Sequence, residues 1–286
     1  MILIVDSGAT KSDWIALDED GNKLFLTKTL GLSPEVLTRE IIDERLANNF
    51  ELSNNKKEVT QLYFYGAGCG TDRMKNYLTK IFKNFFVNAK VSIKEDTYAA
   101  IHATAAPGEH AIVCILGTGS NCSYYDGSEV FQKVTSLGYI LMDDCSGNYF
   151  GRQLLRDYYY HKMPQNLAHK FSEAYDLEAD IIKNNLYKQP NPNTYLATFA
   201  RFVIENRDHE YSQKLIRKGM QLFIDNCIMQ YEQAKSVPVH FIGSIAFYLQ
   251  EELHEVMEQN GLKVGKILRR PIDNLVEYHR EIVFNK

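Results

Sequence analysis

Apolar residues along this chain of 286 follow two rhythms. Near the start, and again past residue 110, short β-branched runs stop abruptly on small residues: "ILIV" before "DSGATKSDW", and "IVCIL" before "GTGSN". Runs of this length, bounded by glycine and serine, predict strands. Each is followed by a second strand-like run, an Asp-Gly pair (Asp20-Gly21, Asp126-Gly127) and a third run, the signature of a hairpin turn. From the first loop glycine to the turn glycine there are thirteen residues in one copy (Gly8 to Gly21) and ten in the other (Gly117 to Gly127). Strand, loop, strand, turn and strand recur in order. That recurrence predicts an internal duplication: two related domains, each presenting a glycine loop.

Between the copies the period lengthens. "EIIDERLANNF" (40–50) and "TDRMKNYLTKIFKNFF" (71–86), the second opened by a Thr/Asp cap, predict helices; "TQLYFYGAG" (60–68) and "KVSIK" (90–94) predict strands. "DTYAAIHATAA" predicts an alanine-rich helix capped by Asp96 or Thr97. Three strands followed by alternating helix and strand predict a mixed sheet flanked by helices, with Pro107-Gly108 as the hinge to the second domain. From Ser146 to Lys235 the chain reads as largely helical, with Ile216, Met220, Phe223, Cys227 and Tyr231 on one core-facing stripe. "VPVHFIGSIA" returns to a strand ending in glycine, and "FYLQEELHEVMEQNG" follows as a helix.

Composition narrows the function. Hydrophobic residues make up 45% and charged residues 24%, an ordinary globular balance, and the length suits two domains. A net charge of −4, with no Lys/Arg run, argues against nucleic acid or an anionic membrane as the main partner. "MILIVDSG" lacks a basic leader and its apolar run ends at Asp6; no stretch has the roughly 18 apolar residues of a membrane span. The five cysteines (Cys69, Cys114, Cys122, Cys145, Cys227) are odd in number and lack CxxC spacing. They read as reduced, mostly buried thiols of a cytoplasmic protein rather than a zinc site or disulfide framework.

The chemistry centres on "IVDSGATKSDW", Ile4 to Trp14. A strand that ends on an aspartate and turns through Gly, Ala and Thr is either a capped hairpin bend or a phosphate cradle beside a metal-orienting carboxylate. The spacing is not that of a P-loop.

Taken together, the motifs resemble the sugar-kinase/actin/Hsp70 ATPase superfamily, and within it the N-acetylglucosamine kinases and the BadF/BadG/BcrA/BcrD-type ATPases. The family's DGGGTKT is matched by Asp6-Ser7-Gly8-Ala9-Thr10-Lys11-Ser12, and its SGTGSN by Leu116-Gly117-Thr118-Gly119-Ser120-Asn121. Its GGWGYLLGDEGSGYWIG, less one leading position, aligns without gaps to "SLGYILMDDCSGNYFG" (136–151). Its adenosine loop is matched by Phe241-Ile242-Gly243-Ser244, and its closing motif by "PIDNLVEYH", with Asn274 where glycine is usual. The matches run in order over nearly the whole chain.

The resemblance implies an α/β protein of two ribonuclease-H-like (actin-like ATPase) domains, residues 1–106 and 107–286, with a helical insertion at about 146–235. ATP would lie in the interdomain cleft, and the C-terminal segment is free to return to the first domain. Loop amides around Ser7, Gly8, Gly117, Thr118 and Gly119, with Thr10 and Lys11, would hold the phosphates; Gly243 and Ser244 would meet the adenosine. Asp6 would orient Mg²⁺, and Asp96 would be the base that takes the sugar hydroxyl's proton. Asn121, Gly138 and Asp143 would grip the sugar. Leu137 stands where the family has tryptophan, and Met142-Asp143-Asp144-Cys145 where it has GDEG, which bears on the sugar preference. The implied activity is ATP-dependent phosphorylation of an amino sugar, N-acetylglucosamine or glucosamine, with a homodimer left open. An ATPase activator of an iron–sulfur enzyme is the alternative, though no cysteine pair is evident. A sugar sensor is a third reading, for which the chain shows no DNA-binding module.

Overall fold

The computed structural model describes residues 1–8 and 10–281. It divides into two compact units: residues 1–106 together with the segment from Arg270, and residues 107–269.

The first unit is built on strands β1 (Ile2–Ser7), β2 (Lys11–Leu17), β3 (Lys23–Leu30), β4 (Gln61–Gly66) and β5 (Lys90–Glu95). They form one sheet in the order β3-β2-β1-β4-β5. The β1–β2–β3 meander is antiparallel, whereas β4 and β5 run parallel to β1. Helices α1 (Arg39–Ala47), α2 (Phe50–Asn55), α3 (Asp72–Phe85) and α4 (Asp96–Thr104) belong to this unit. The central strand explains its own apolar run. Leu3 and Val5 bury on one face with Leu78, Ile81 and Phe82 of α3, whereas Ile2 and Ile4 bury on the other with Ala99 of α4. Both faces are covered, so the period-2 alternation of a half-wet strand is absent.

The second unit repeats the plan with β6 (His110–Leu116), β7 (Ser120–Asp126), β8 (Val130–Phe131), β9 (Pro238–Ile242) and β10 (Lys263–Leu268), in the order β10-β9-β6-β7-β8. Read from the β8 edge, this is the strand order of the first sheet: third, second, first, then two parallel additions. β7 is antiparallel to β6, and β9 parallel to it. The duplication read from the glycine loops is thus carried through the topology. The Asp-Gly turns lie between the predicted strands, with Gly21 at φ 81° and Gly127 at φ 92°, backbone that glycine adopts without strain.

Six helices follow β8: α5 (Gly147–Tyr159), α6 (Gln165–Ala174), α7 (Ala179–Tyr187), α8 (Pro192–Thr198), α9 (Ala200–Glu205) and α10 (Glu210–Asn226). The helices α11 (Ser244–Tyr248) and α12 (Gln250–Gln259) flank β9 and β10, and α13 (Ile272–His279) returns to the first unit. There Ile272, Leu275 and Val276 pack on Ile2, Ile4, Ile15 and Leu17. No helix among the described residues is long and apolar enough to cross a membrane.

Two sequence expectations are corrected. The helix expected over 40–50 stops at Ala47, because Asn49 takes an extended conformation and its side chain accepts the Leu52 N–H, starting α2. The stripe expected through Tyr231 ends with α10 at Asn226; Cys227 and a 3₁₀ turn at Ile228–Gln230 change direction. Tyr231 is buried all the same, its hydroxyl donating to the Cys122 carbonyl at 3.0 Å.

The α4–α13 face carries two imidazoles in protein surroundings. His102 stacks on Tyr278 with ring centroids 4.0 Å apart, and His279 Nε2 lies 3.0 Å from the Tyr65 hydroxyl. Burial, reinforced by the Lys94 ammonium, holds His102 down to about 3 and His279 down to about 4. Both rings are therefore neutral in the folded protein at neutral pH, and they take up protons on unfolding between about pH 4 and the ordinary histidine value. Protons favour the unfolded chain, so stability falls as pH drops from about 6.5 toward 4. We expect His102→Phe, which keeps a stacked ring, to flatten the loss of Tm between about pH 7 and pH 5 relative to wild type. An equally steep loss in the variant contradicts this assignment.

Candidate active site

In each sheet the parallel strands end on one edge, where short loops expose main-chain groups and side chains. The first unit puts there Asp6 and Ser7 at the end of β1, the turn through Gly8 and Thr10, and Asp96 just past β5. The second puts there Gly117, Thr118 and Gly119 after β6, and Gly243 after β9.

The first loop is a tight bend that returns the chain at once into β2: Gly8 N–H donates to the Lys11 carbonyl at 3.0 Å. Ser7 is buried, and its hydroxyl accepts from the Ser12 hydroxyl at 2.7 Å and from Leu32 N–H at 3.1 Å. Its side chain therefore braces the loop. Thr10 and Lys11 lie on the exposed side of the turn.

Across the β1–β2 pairing, Asp6 faces Asp13. Burial pushes the Asp6 carboxyl up to about 7, and the nearby Asp96 and Asp13 carboxylates push it further the same way, against Lys11 and Arg270. Asp96 is pushed up to about 6 by burial and then by Glu95, against hydrogen bonds from the Thr97 N–H and its own. Crowded carboxyls of this kind are a recurrent mark of functional sites. Asp96 is the first residue of α4 rather than its cap. Glu95 occupies the cap position and makes no side-chain capping bond.

The second loop closes on itself, with Gly117 N–H donating to the Gly119 carbonyl at 3.0 Å. Its carbonyls face α5: Gly117 O accepts from Gly147 N–H and Thr118 O from Asn148 N–H. Gly243 has φ 124°, and a Cβ there would overlap the Leu116 carbonyl. Its glycine is thus required by the fold where the ends of β6 and β9 touch. Ser244 opens α11 and is exposed.

Asn121 and Asp143 line one cavity of about 320 Å³, together with Cys122, Leu141, Met142 and Cys227. Asn121 Oδ1 accepts from Gln132 Nε2 at 2.8 Å and from Cys122 N–H at 2.7 Å. Asp143 Oδ2 accepts from Asn148 Nδ2 at 3.0 Å, and a Cβ on Gly119 would lie 2.7 Å from that same oxygen. Asp143 holds φ 66°, an uncommon conformation for a residue with a side chain, which presses its carboxylate against the glycine loop. Gly138, at φ 80°, turns the chain into this segment and accepts from Leu141 and Met142 N–H.

Asp13 and Arg270 went unread in the sequence. Asp13 Oδ2 pairs with Lys11 Nζ at 3.1 Å, and its Oδ1 lies 3.6 Å from Arg270 Nη1. The signal for Asp13 was available: a two-strand turn that pairs Ser7 with Ser12 must pair Asp6 with Asp13. Arg270 had none, because 257 residues separate it from Asp13.

Twin mixed sheets of one strand order, each with a glycine loop at the carboxyl edge, define the actin-like, sugar-kinase type of α/β fold. No family model matches the chain, nor does any curated protein sequence. Among solved structures it is similar to a candidate N-acetylglucosamine kinase of Porphyromonas gingivalis, at 33% identity and a TM-score of 0.92, covering 98% of this chain and 99% of the other. Fold alone is shared with a candidate N-acetylglucosamine kinase of Chromobacterium violaceum (15% identity, coverage 97% and 98%, TM-score 0.71). The same holds for a ROK family glucokinase of Streptomyces griseus in complex with glucose and AMPPNP (12%, 96% and 97%, 0.57). The chain belongs to the N-acetylglucosamine-kinase-like family of the sugar-kinase/actin/Hsp70 superfamily.

Gly117 gives a clean test of the loop. A Cβ there meets nothing within 4 Å and its φ is not left-handed, so Gly117→Val is expected to fold and melt like wild type. If the loop backbone lies against phosphates, the added side chain blocks that approach. ATP affinity by calorimetry is then expected to fall at least about tenfold, the scale of losing a hydrogen bond or two in a dry site. Unchanged affinity removes the phosphate role of this loop.

Proposed function

We propose that the protein is an ATP-dependent kinase that phosphorylates a hydroxyl of an amino sugar, N-acetylglucosamine or glucosamine. One observation carries this reading: a glycine loop ends the first strand of each twin sheet, in a chain 33% identical to a candidate N-acetylglucosamine kinase. The Gly8 and Gly117 turns, with Ser7, Thr10, Lys11, Thr118 and Gly119, border the triphosphate, which loop amides other than those of Gly8 and Gly117 hold together with the Lys11 ammonium. Gly243 and Ser244 border the adenosine. Asn121 and Asp143 position the sugar in their shared cavity, where Leu141 and Met142 suit an apolar substituent beside the hydroxyls, and Gly138 turns the chain into that segment.

Among the described residues no group of three or more acidic, cysteine or histidine side chains is arranged to ligate a metal directly. Asp6, raised first by burial and then by the nearby Asp96 and Asp13 carboxylates, nevertheless fits a divalent cation held through water, which would favour its charged form. Asp6 would hold Mg²⁺, with Asp96 beside it. When bound, the ion neutralises charge on the transferring phosphoryl group.

Asp96 is the general base. Its carboxyl value of about 6 leaves it ionised at neutral pH yet more basic than an ordinary aspartate. The iron–sulfur activator reading is disfavoured on geometry: Cys69, Cys114, Cys122 and Cys145 are buried and only Cys227 is partly exposed, whereas cluster ligands shared at an interface must reach a surface.

The test is a panel of amino sugars and hexoses with Mg-ATP, read by ADP release, with Asp96→Asn run beside wild type. Turnover is expected on an N-acetylated or free amino sugar. Asparagine keeps a hydrogen-bond acceptor at the start of α4, so the variant is expected to melt near wild type and to bind ATP and sugar. Without a base it should turn over at least about 100-fold more slowly. Near-normal turnover in a folded variant would leave Asp96 as a helix-start residue only.

A further inference from the structure

Asp13 is held in an unusual way for a strand residue. Its side chain is only 8% exposed, yet three cations converge on it: Lys11 Nζ at 3.1 Å, Arg270 Nη1 at 3.6 Å and Lys28 Nζ at 3.9 Å. Those cations come from β2, from β3 and from the segment before α13. Only the Lys11 contact is a hydrogen bond; Oδ1 is buried and accepts none, although two cations stand close to it. A buried carboxylate oxygen left in that condition is costly. Mostly exposed cations, as Lys11 and Lys28 are, add little stability through such pairs. Stability alone therefore does not account for the arrangement.

Its placement does. Asp13 sits across the strand pair from Asp6, one turn of chain beyond Gly8. One carboxylate gathers three positive groups beside the first glycine loop, Arg270 being shared with Asp273, whose Oδ2 lies 3.7 Å from its Nη2. Cations ordered by a buried acid behind them suit a polyanion, because the acid fixes flexible lysine and arginine side chains that would otherwise lose their rotamer freedom on binding.

We infer that Asp13 is a positioning residue that holds Lys11, with Arg270 and Lys28, at the first glycine loop so that their cationic ends meet the nucleotide's phosphates. The inference rests on the ATP-dependent reading above and adds to it the residue that orders the cations. Asp13 acts through Lys11 and Arg270; it touches neither phosphate nor sugar.

The test is a double-mutant cycle on the full chain with Asp13→Asn, Lys11→Met and the double variant, measuring the KM for ATP, the KM for sugar, kcat and Tm. Asp13→Asn keeps the side-chain shape and removes the charge. It is expected to raise the KM for ATP about tenfold while the KM for sugar stays within about twofold, a split that a purely structural acid would not produce. Lys11→Met is expected to do the same, and the double variant to be little worse than either single one, because both changes disable one unit. Should Asp13→Asn fail to fold, Lys11→Met and Arg270→Gln, which alter accessible side chains, carry the test: each must raise the KM for ATP several-fold. A KM for ATP unchanged by these substitutions in an enzyme that does bind ATP overturns the inference alone. Fully additive effects of Asp13 and Lys11 overturn it as well. Wild-type protein without measurable ATP affinity overturns the functional reading and this inference with it.

Discussion

Each sheet is organised by a first strand inserted between an antiparallel neighbour and a parallel one. β1 is paired on both edges and covered on both faces, so Ile2 to Val5 are all buried. Such a strand has no wet side on which to carry a polar residue. Polar chemistry must wait for its carboxyl end, where the chain has to reverse within a few residues to form β2. That reversal demands small residues, and it sets Asp6 against Asp13 across the pair. In the second unit β6 obeys the same constraint, with Leu116 as the last buried residue before a glycine bend. The carboxyl edge is therefore the part of each unit where charges and exposed amides gather. The loop glycine and the Asp6–Asp13 pairing both follow from this one geometric demand.

The same constraint separates two kinds of glycine that look alike in the sequence. Gly243 is locked by the fold: its positive φ and its contact with the Leu116 carbonyl tie the end of β9 to the end of β6. Gly117 is not locked in this way, since a Cβ would meet nothing nearby. A glycine that packing does not require, at the tip of a loop, is the one for which a function has to be sought.

Much of this was legible in the chain. The β-branched runs, the Asp-Gly turns and the repeated order of elements predicted both hairpins and the duplication, because those signals are local and each rests on a backbone requirement. The break between α1 and α2 was missed because Asn48 and Asn49 interrupt a periodic stretch without glycine or proline, and only the cap made by Asn49 reveals it. The stripe through Cys227 and Tyr231 misled because apolar spacing continues past the helix into a turn that is buried for other reasons. At the site, the loop residues and Asp96 came from motif resemblance. Asp13 would have followed from strand register, while Arg270 could not, since its partner is fixed by the return of α13 to the first unit. Long-range ion pairs leave no periodic trace.

The proposed kinase function requires that the Gly8 loop and the Gly117 loop each meet the phosphates of ATP. Hydrogen–deuterium exchange of the full chain, with and without Mg-ATP, tests this most directly. Exchange is predicted to slow together in the segment around residues 7–12 and in that around residues 117–121, both at one nucleotide concentration. Protection confined to a single loop, or found at neither while ATP is bound, contradicts the account.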